Sequence, residues 1–267
     1  MTGTSASWRA LVLAGSRRGE ADPVARYRHV RHKCLATAAG VPLLVRVVRS
    51  LEATPAIGEI LVSIDDPALP ASLPELAEPC RSGRVRALAS EASLSRSVAA
   101  AFAAGTPPLL VTTADHALLD EAMLRHFLAE AEASAADIVV GVASAATIRA
   151  RYPETRRTYL RFKGGAYSGA NLFALRTAAA QRGVELWQRL ERDRKQPWRL
   201  ARALGLDLLL AYLLRRYTLD EAMARVSGRL GVTAAAVVIP AAEAAIDVDK
   251  PDDLDLVERI LAEREAA

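Results

Sequence analysis

Apolar residues in this chain fall into short runs separated by segments of helical periodicity. Residues Ala10 to Gly15, ALVLAG, form an apolar run that stops at a glycine, the pattern of a buried parallel strand. Leu43 to Leu51 has apolar residues at helical spacing with Arg46 and Arg49 between them, which predicts the first crossover helix. Ile57 to Ile64 predicts a second strand that ends at Asp65-Asp66-Pro67, and the acidic, proline-bearing stretch to Arg81 predicts loop with a short helix. Val85 to Ala89 predicts a third strand, and Ser90 to Ser95 introduces a helix from Arg96 to Ala104. Leu109 to Thr113 is an apolar, β-branched strand followed by Ala114-Asp115-His116. Asp120 and Glu121 then open a helix through Ala133, and Ile138 to Ala143 is the next strand.

This alternation predicts an α/β fold, an open and mostly parallel Rossmann-like sheet flanked by helices. Beyond it, Gly164-Gly165 is placed to turn a hairpin between Tyr159–Phe162 and Ala166–Leu175. Residues 178–231 read as wholly helical, with a capping box at Thr218-Leu219-Asp220-Glu221. Val237 to Ile239 predicts a last strand, and Pro251 to Glu265 a terminal helix begun by acidic residues. The expectation is one domain over residues 1–267 with 178–231 as a helical insertion.

Composition narrows the function classes. The chain has 267 residues, 51% of them hydrophobic but only 5% aromatic, which favours helices on a sheet. A net charge of +4 suits an anionic small molecule and is too modest to predict nucleic acid. Two cysteines, Cys34 and Cys80, form no metal-ligand spacing and no disulfide framework, and the first ten residues lack a signal-peptide pattern, so a cytoplasmic protein is expected. No apolar run approaches the ~20 residues a membrane helix needs. Leu206 to Leu214 is the nearest, and that face is a candidate for a homodimer contact, a lid or a lipid-like acceptor.

The loop after the first strand carries six cations between Ser16 and Lys33: Arg17, Arg18, Arg26, Arg28, Arg31 and Lys33. Loops at the carboxyl end of such strands bind ligands, and this one suits an anion. Gly15 allows close backbone approach to a phosphate. Neither a Walker loop nor a dinucleotide fingerprint is present: no GxxxxGK leads to Ser or Thr, and Gly15 and Gly19 do not supply GxGxxG. Asp115, just past a buried strand, is placed to hold a Mg2+ that bridges substrate phosphates.

Four segments, in order, resemble the MobA-like nucleotidyltransferase superfamily, whose fold is of the GT-A type. They are Leu13-Ala14-Gly15 with Lys33, Leu35 and Gly40-Val41-Pro42-Leu43-Leu44; Thr113-Ala114-Asp115; Ser168-Gly169-Ala170-Asn171; and Asp247-Val248-Asp249-Lys250-Pro251-Asp252-Asp253-Leu254. The chain departs from the family pattern at Ser16-Arg17-Arg18, where a second glycine is usual, and at His32, Ala117 and Lys250. The resemblance implies a Mg2+-dependent enzyme that transfers a nucleotidyl group from a nucleoside triphosphate, CTP or GTP, to a small acceptor and releases pyrophosphate. It assigns catalytic charge to Lys33 with Arg17 or Arg18, and nucleotide binding to Leu13, Ala14, Gly15, Ser16, Ser93, Ser95 and Asp115. Metal binding falls to Asp115 and Asp249, with Asp247 as the alternative. Acceptor binding falls to Arg161, Lys163, Ser168, Gly169 and Asn171, and the basic residues there suit an acceptor with its own phosphate. Two rivals stay open, a GT-A glycosyltransferase using a nucleotide sugar and a nucleotide-binding protein without catalysis.

Overall fold

The computed structural model describes residues 7–16, 21–193 and 205–266. The first half comprises β1 (Trp8–Leu13), α1 (Pro23–Tyr27), a 3-10 turn (Lys33–Leu35), a two-residue hairpin β2 (Thr37–Ala38) and β3 (Val41–Pro42), α2 (Leu43–Glu52), β4 (Ile57–Ile64), α3 (Leu69–Ser72), α4 (Pro74–Arg81), β5 (Val85–Ala89), α5 (Leu94–Ala103) and β6 (Leu109–Thr113). It continues through α6 (Glu121–Ala133), β7 (Ile138–Ser144), α7 (Ala145–Arg151), β8 (Leu160–Phe162), β9 (Gly165–Leu175), α8 (Ala180–Asp193), α9 (Leu206–Leu213), α10 (Leu219–Leu230), β10 (Ala234–Val238), a 3-10 turn (Ala242–Ala245) and α11 (Pro251–Glu265). None of the described helices is long and apolar enough to cross a membrane.

The main sheet has the order β10-β7-β9-β6-β1-β4-β5, with β8 paired to β9. β9 runs antiparallel to both β6 and β7, while β1, β4, β5 and β6 pair in parallel. Successive β1 side chains alternate between two cores, as a strand buried on both faces requires. Ala10 and Val12 pack with Leu44, Val48, Leu124 and Phe127 of α2 and α6. Leu11 and Leu13 pack with Val98, Phe102, Ala180 and Val184 of α5 and α8. Burying each such large aliphatic contributes roughly 1.5–3 kcal/mol.

Several elements differ from expectation. Residues 69–81 form two helices, because Pro70 and Pro74 sit in first turns, where a missing N–H costs nothing. α5 starts at Leu94, two residues early, with Ser93 as its cap. The last strand is Ala234–Val238: alanines with good helix propensity are held extended by pairing with β7. In the helical stretch, residues 214–218 break into a turn and a bend between α9 and α10. α1 and α7 lie within stretches with no strong apolar period, and are started by Asp22 and Ser144 caps.

The site is positioned by the order β6-β1-β4-β5. The chain leaves β1 toward β4 and β5 on one side and returns to β6 on the other, so the loops at their carboxyl ends diverge around a crevice. Leu13 is level with Thr113, and Ala114 N donates to Leu13 O at 3.0 Å. Ala14 N donates to Ser63 O at 2.8 Å and Ser90 N to Ile64 O at 2.9 Å. Gly15, Asp65, Ser90 and Asp115 therefore emerge along a single edge.

Candidate active site

A cleft of about 670 Å³ opens at this edge, lined by Leu13–Ser16, Lys33, Thr113–Asp115 and Asp249. Lys33 reaches it from the 3-10 turn capped by His32. Its ammonium Nζ donates to Asp115 Oδ2 at 2.6 Å and to Asp249 Oδ1 at 3.2 Å. Burial alone would lower the Lys33 pKa, but the two carboxylates outweigh it and hold the pKa above the ordinary lysine value. Asp115 is steadied from behind by Thr113 Oγ1, which donates to its Oδ1. Its main-chain oxygen accepts from Val248 N at 3.0 Å, which ties the closing acidic segment to the end of β6.

Asp249 and Asp247 take different places. Asp249 is held by its backbone: Asp253 Oδ2 accepts from the N–H groups of Asp249 and Lys250, each at 3.1 Å, so the Asp249 carboxylate, 69% exposed, projects to the cleft. Asp247 points instead to Arg157 and to Asn171, whose Nδ2 donates at 3.2 Å. Burial first, then the charges of Asp249 and Asp115, raises the Asp247 carboxyl above the usual aspartate range, against the pull of Arg157. Among the described residues, Asp115, Asp249, Asp247 and Asp253 pair with no cations other than Lys33 and Arg157, so this linked group carries two excess negative charges.

That donor set fits a hard divalent cation. Mg2+ is ordinarily held by one or two carboxylates together with substrate phosphates and water. Asp115 and Asp249 offer two carboxylate oxygens converging on one point, where Lys33 now places a positive charge. Among the described residues no group of three or more His, Cys, Asp or Glu side chains is arranged around a metal position.

Beside the cleft, a cavity of about 310 Å³ is lined by Gly15, Ser16, Asp65, Ser90, Ser93 and Leu94, among others. Asp65 organises it. It accepts from Ser16 N at 2.8 Å, from Ser90 Oγ, and from His32 Nε2 at 3.3 Å. His32 Nδ1 accepts from Cys34 N at 3.4 Å, which turns Nε2 toward Asp65. Burial favours the neutral acid, but the bonds from Ser90, Ser16 and His32 prevail and lower the Asp65 pKa. A Cβ on Gly15 would lie 3.0 Å from Ser90 Cβ and 3.3 Å from Asp65 Oδ1, so any side chain here would have to push its neighbours aside by a few tenths of an ångström. Cys34 also borders the cleft, but burial, then the charge of Asp65, pushes its thiol up to about 12, and it stays protonated.

Of the residues expected from sequence, Leu13, Ala14, Gly15, Ser16, Lys33, Asp115 and Asp249 share the cleft. Arg17 and Arg18 lie outside the described residues. Ser93 caps α5 and lines the smaller cavity, while Ser95 is 1% exposed and donates to Glu191 Oε2 of α8 at 2.5 Å. Arg161 and Lys163 are exposed at the tip of the β8–β9 hairpin, which β9 carries past the end of β6. That tip is braced by Lys163 N donating to Tyr217 O at 2.7 Å and by Phe162 against Tyr212, ring centroids 5.7 Å apart. Ser168 is buried against β7, Gly169 is exposed, and Asn171 adopts φ 47° where the β7–β9 register slips. Sequence reasoning passed over Asp65 and two further residues that line the cleft, His32 and Asp22. The signal was there for Asp65, the first residue past a buried strand next to the phosphate-suited loop.

The profile of the MobA-like NTP transferase domain matches residues 10–193. A hypothetical transferase from Thermus thermophilus is 30% identical, with 92% of this chain and 98% of that one covered and a TM-score of 0.76. More distant in sequence are CMP:2-keto-3-deoxy-manno-octonic acid synthetase complexed with CTP (13% identity, 96% and 98% covered, TM-score 0.57) and 2-C-methyl-D-erythritol 4-phosphate cytidylyltransferase, also from Thermus thermophilus (15%, 95% and 98%, 0.52). No curated protein sequence matches the chain. With the profile spanning the strands that build the cleft and the hypothetical transferase sharing nearly the whole length, the chain belongs to the MobA-like NTP transferase family and is a nucleotidyltransferase.

Proposed function

We propose that the enzyme transfers a nucleoside monophosphate from CTP or GTP to a small, phosphorylated acceptor, with Mg2+ as cofactor. An acceptor oxygen attacks the α-phosphorus, the bond from that phosphorus to the α,β-bridging oxygen breaks, and pyrophosphate leaves with the electron pair. A phosphate monoester acceptor is already anionic, so no general base is needed. Mg2+, held by Asp115 and Asp249, would neutralise charge on the triphosphate. Lys33 neutralises the same phosphates from the protein side, with Arg17 or Arg18 assisting, and the backbone of Leu13–Ser16 cradles them. The observation that carries this reading is the contact of Lys33 Nζ with both carboxylates, at 2.6 and 3.2 Å, inside a nucleotide-sized cleft.

The smaller cavity beside Gly15, with Ser93 at its rim, suits the base and ribose. The β8–β9 hairpin, with Arg161, Lys163, Ser168, Gly169 and Asn171, is assigned to the acceptor, and residues 178–231 to a helical insertion of one catalytic domain. CTP is the first nucleotide to try, since two of the structural relatives are a cytidylyltransferase and a synthetase bound to CTP. The test is pyrophosphate release with the four ribonucleoside triphosphates and a panel of phosphorylated acceptors. Release that Asp115→Asn and Lys33→Ala abolish supports the reading. Release that needs no phosphorylated acceptor, is supported by neither CTP nor GTP, or survives both substitutions overturns the substrate and site assignment.

A further inference from the structure

Arg157 lies in the segment between α7 and β8, just ahead of the hairpin whose basic residues Arg161 and Lys163 are assigned to the acceptor. Its side chain is 8% exposed. Nη1 donates to the Asp247 carboxylate, both terminal nitrogens reach Asp247 O at 3.3 Å, and Nη2 donates to Asp253 Oδ1 at 3.1 Å. The other oxygen of Asp253 fixes the backbone of Asp249 and Lys250. One guanidinium therefore grips the residues on either side of Asp249 in sequence and leaves the Asp249 carboxylate to the cleft.

We propose that Arg157 is a positioning residue for Asp249, a role that rests on the assignment of Asp249 to the metal and its triphosphate. Two features demand an arginine. Asp247 and Asp253 are largely buried and approach the guanidinium from two sides, so Arg157 bridges two carboxylates that would otherwise repel each other. The planar fork reaches two carboxylates and a carbonyl at once, which an ammonium on a flexible stem does not reproduce. Asn171 completes the cage from β9. Its left-handed backbone, φ 47°, places its amide on the second oxygen of Asp247, so the register slip in β9 serves the same loop. With the grip released, Asp247 and Asp253 separate, the Asp249 backbone loses its anchor, and Asp249 no longer faces Asp115.

The experiment measures Mn2+ binding to the protein with a non-hydrolysable nucleoside triphosphate, by titration calorimetry, for wild type, Asp249→Asn, Arg157→Lys and Arg157→Ala. Wild type should bind and Asp249→Asn should not. Arg157→Lys, which keeps the charge and the fold, should lose about 10–100-fold in Mn2+ affinity, in the range seen when groups that orient metal ligands are removed. Nucleotide affinity without metal should be unchanged, which a general loss of structure would not produce. If Arg157→Ala also folds, guanidinium ion below denaturing concentration should restore part of its Mn2+ affinity. Wild-type affinity in Arg157→Lys overturns the positioning role alone. Failure of wild type to bind, or unaltered binding by Asp249→Asn, overturns the metal assignment and this inference with it.

Discussion

Lys33 Nζ lies 2.6 Å from Asp115 Oδ2, joining the loop after β1 to the end of β6 across 82 residues of sequence. The contact is charge-assisted and short, and both groups are less than a fifth exposed, so it holds opposite charges together at the cleft. Replacing Lys33 by methionine keeps the stem and removes the charge. In pyrophosphate-release assays kcat/KM should fall about 10²–10³-fold, or roughly 3–4 kcal/mol of transition-state stabilisation.

The same contact sets a pH dependence. The folded-state pKa of Lys33 is raised, so its contribution to stability is fully present below the unfolded value and is lost as pH rises through the folded one. The stability difference between wild type and Lys33→Met should stay constant from neutral pH to about pH 10, then shrink. Urea titrations across that range measure it, and a difference that vanishes by about pH 9 would contradict the assigned pairing.

Asp65 gives a separable effect. Because it anchors the Ser16 amide and Ser90 at the mouth of the smaller cavity, and reaches the Lys33 turn only through His32 at 3.3 Å, Asp65→Ala should loosen chiefly the nucleotide loop. The expected result is a KM for the nucleotide raised about tenfold, one charge-assisted hydrogen bond's worth, with kcat nearly unchanged.

Ser95 should behave as a structural residue. Its buried hydroxyl joins α5 to Glu191 of α8, so Ser95→Ala should cost about 1–2 kcal/mol and lower Tm by a few degrees while leaving the nucleotide KM alone. Ser93→Ala should cost about 1 kcal/mol through the lost cap. A selective rise in KM for Ser95→Ala would return that residue to the nucleotide site.

The parts of this molecule that were readable in sequence are those governed by local rules. Apolar runs located β1, β4, β5 and β6, and proline with acids in the first turn located α11 to the residue. Asp115 stood out as a carboxylate just past a buried strand, and Lys33 through the opening motif that resembles the MobA-like family. What escaped depends on pairing over distance. Nothing local says that Gly165–Leu175 inserts antiparallel between β6 and β7, or that the last strand starts at Ala234 rather than Val237, since both follow from the partners available. Asp247 and Asp249 have the same chemistry in sequence and part only through Arg157, 90 residues from Asp247. Ser95 resembles its neighbours Ser93 and Ser97 until Glu191 arrives from α8.

The most direct measurement is a crystal structure with Mn2+ and a non-hydrolysable nucleoside triphosphate, using anomalous scattering to locate the metal. The account predicts a manganese peak bridging Asp115, Asp249 and the triphosphate, with Lys33 moved onto a phosphate oxygen. Manganese bound elsewhere, or a nucleotide seated away from the Leu13–Ser16 loop while Lys33 stays on its two carboxylates, would contradict it.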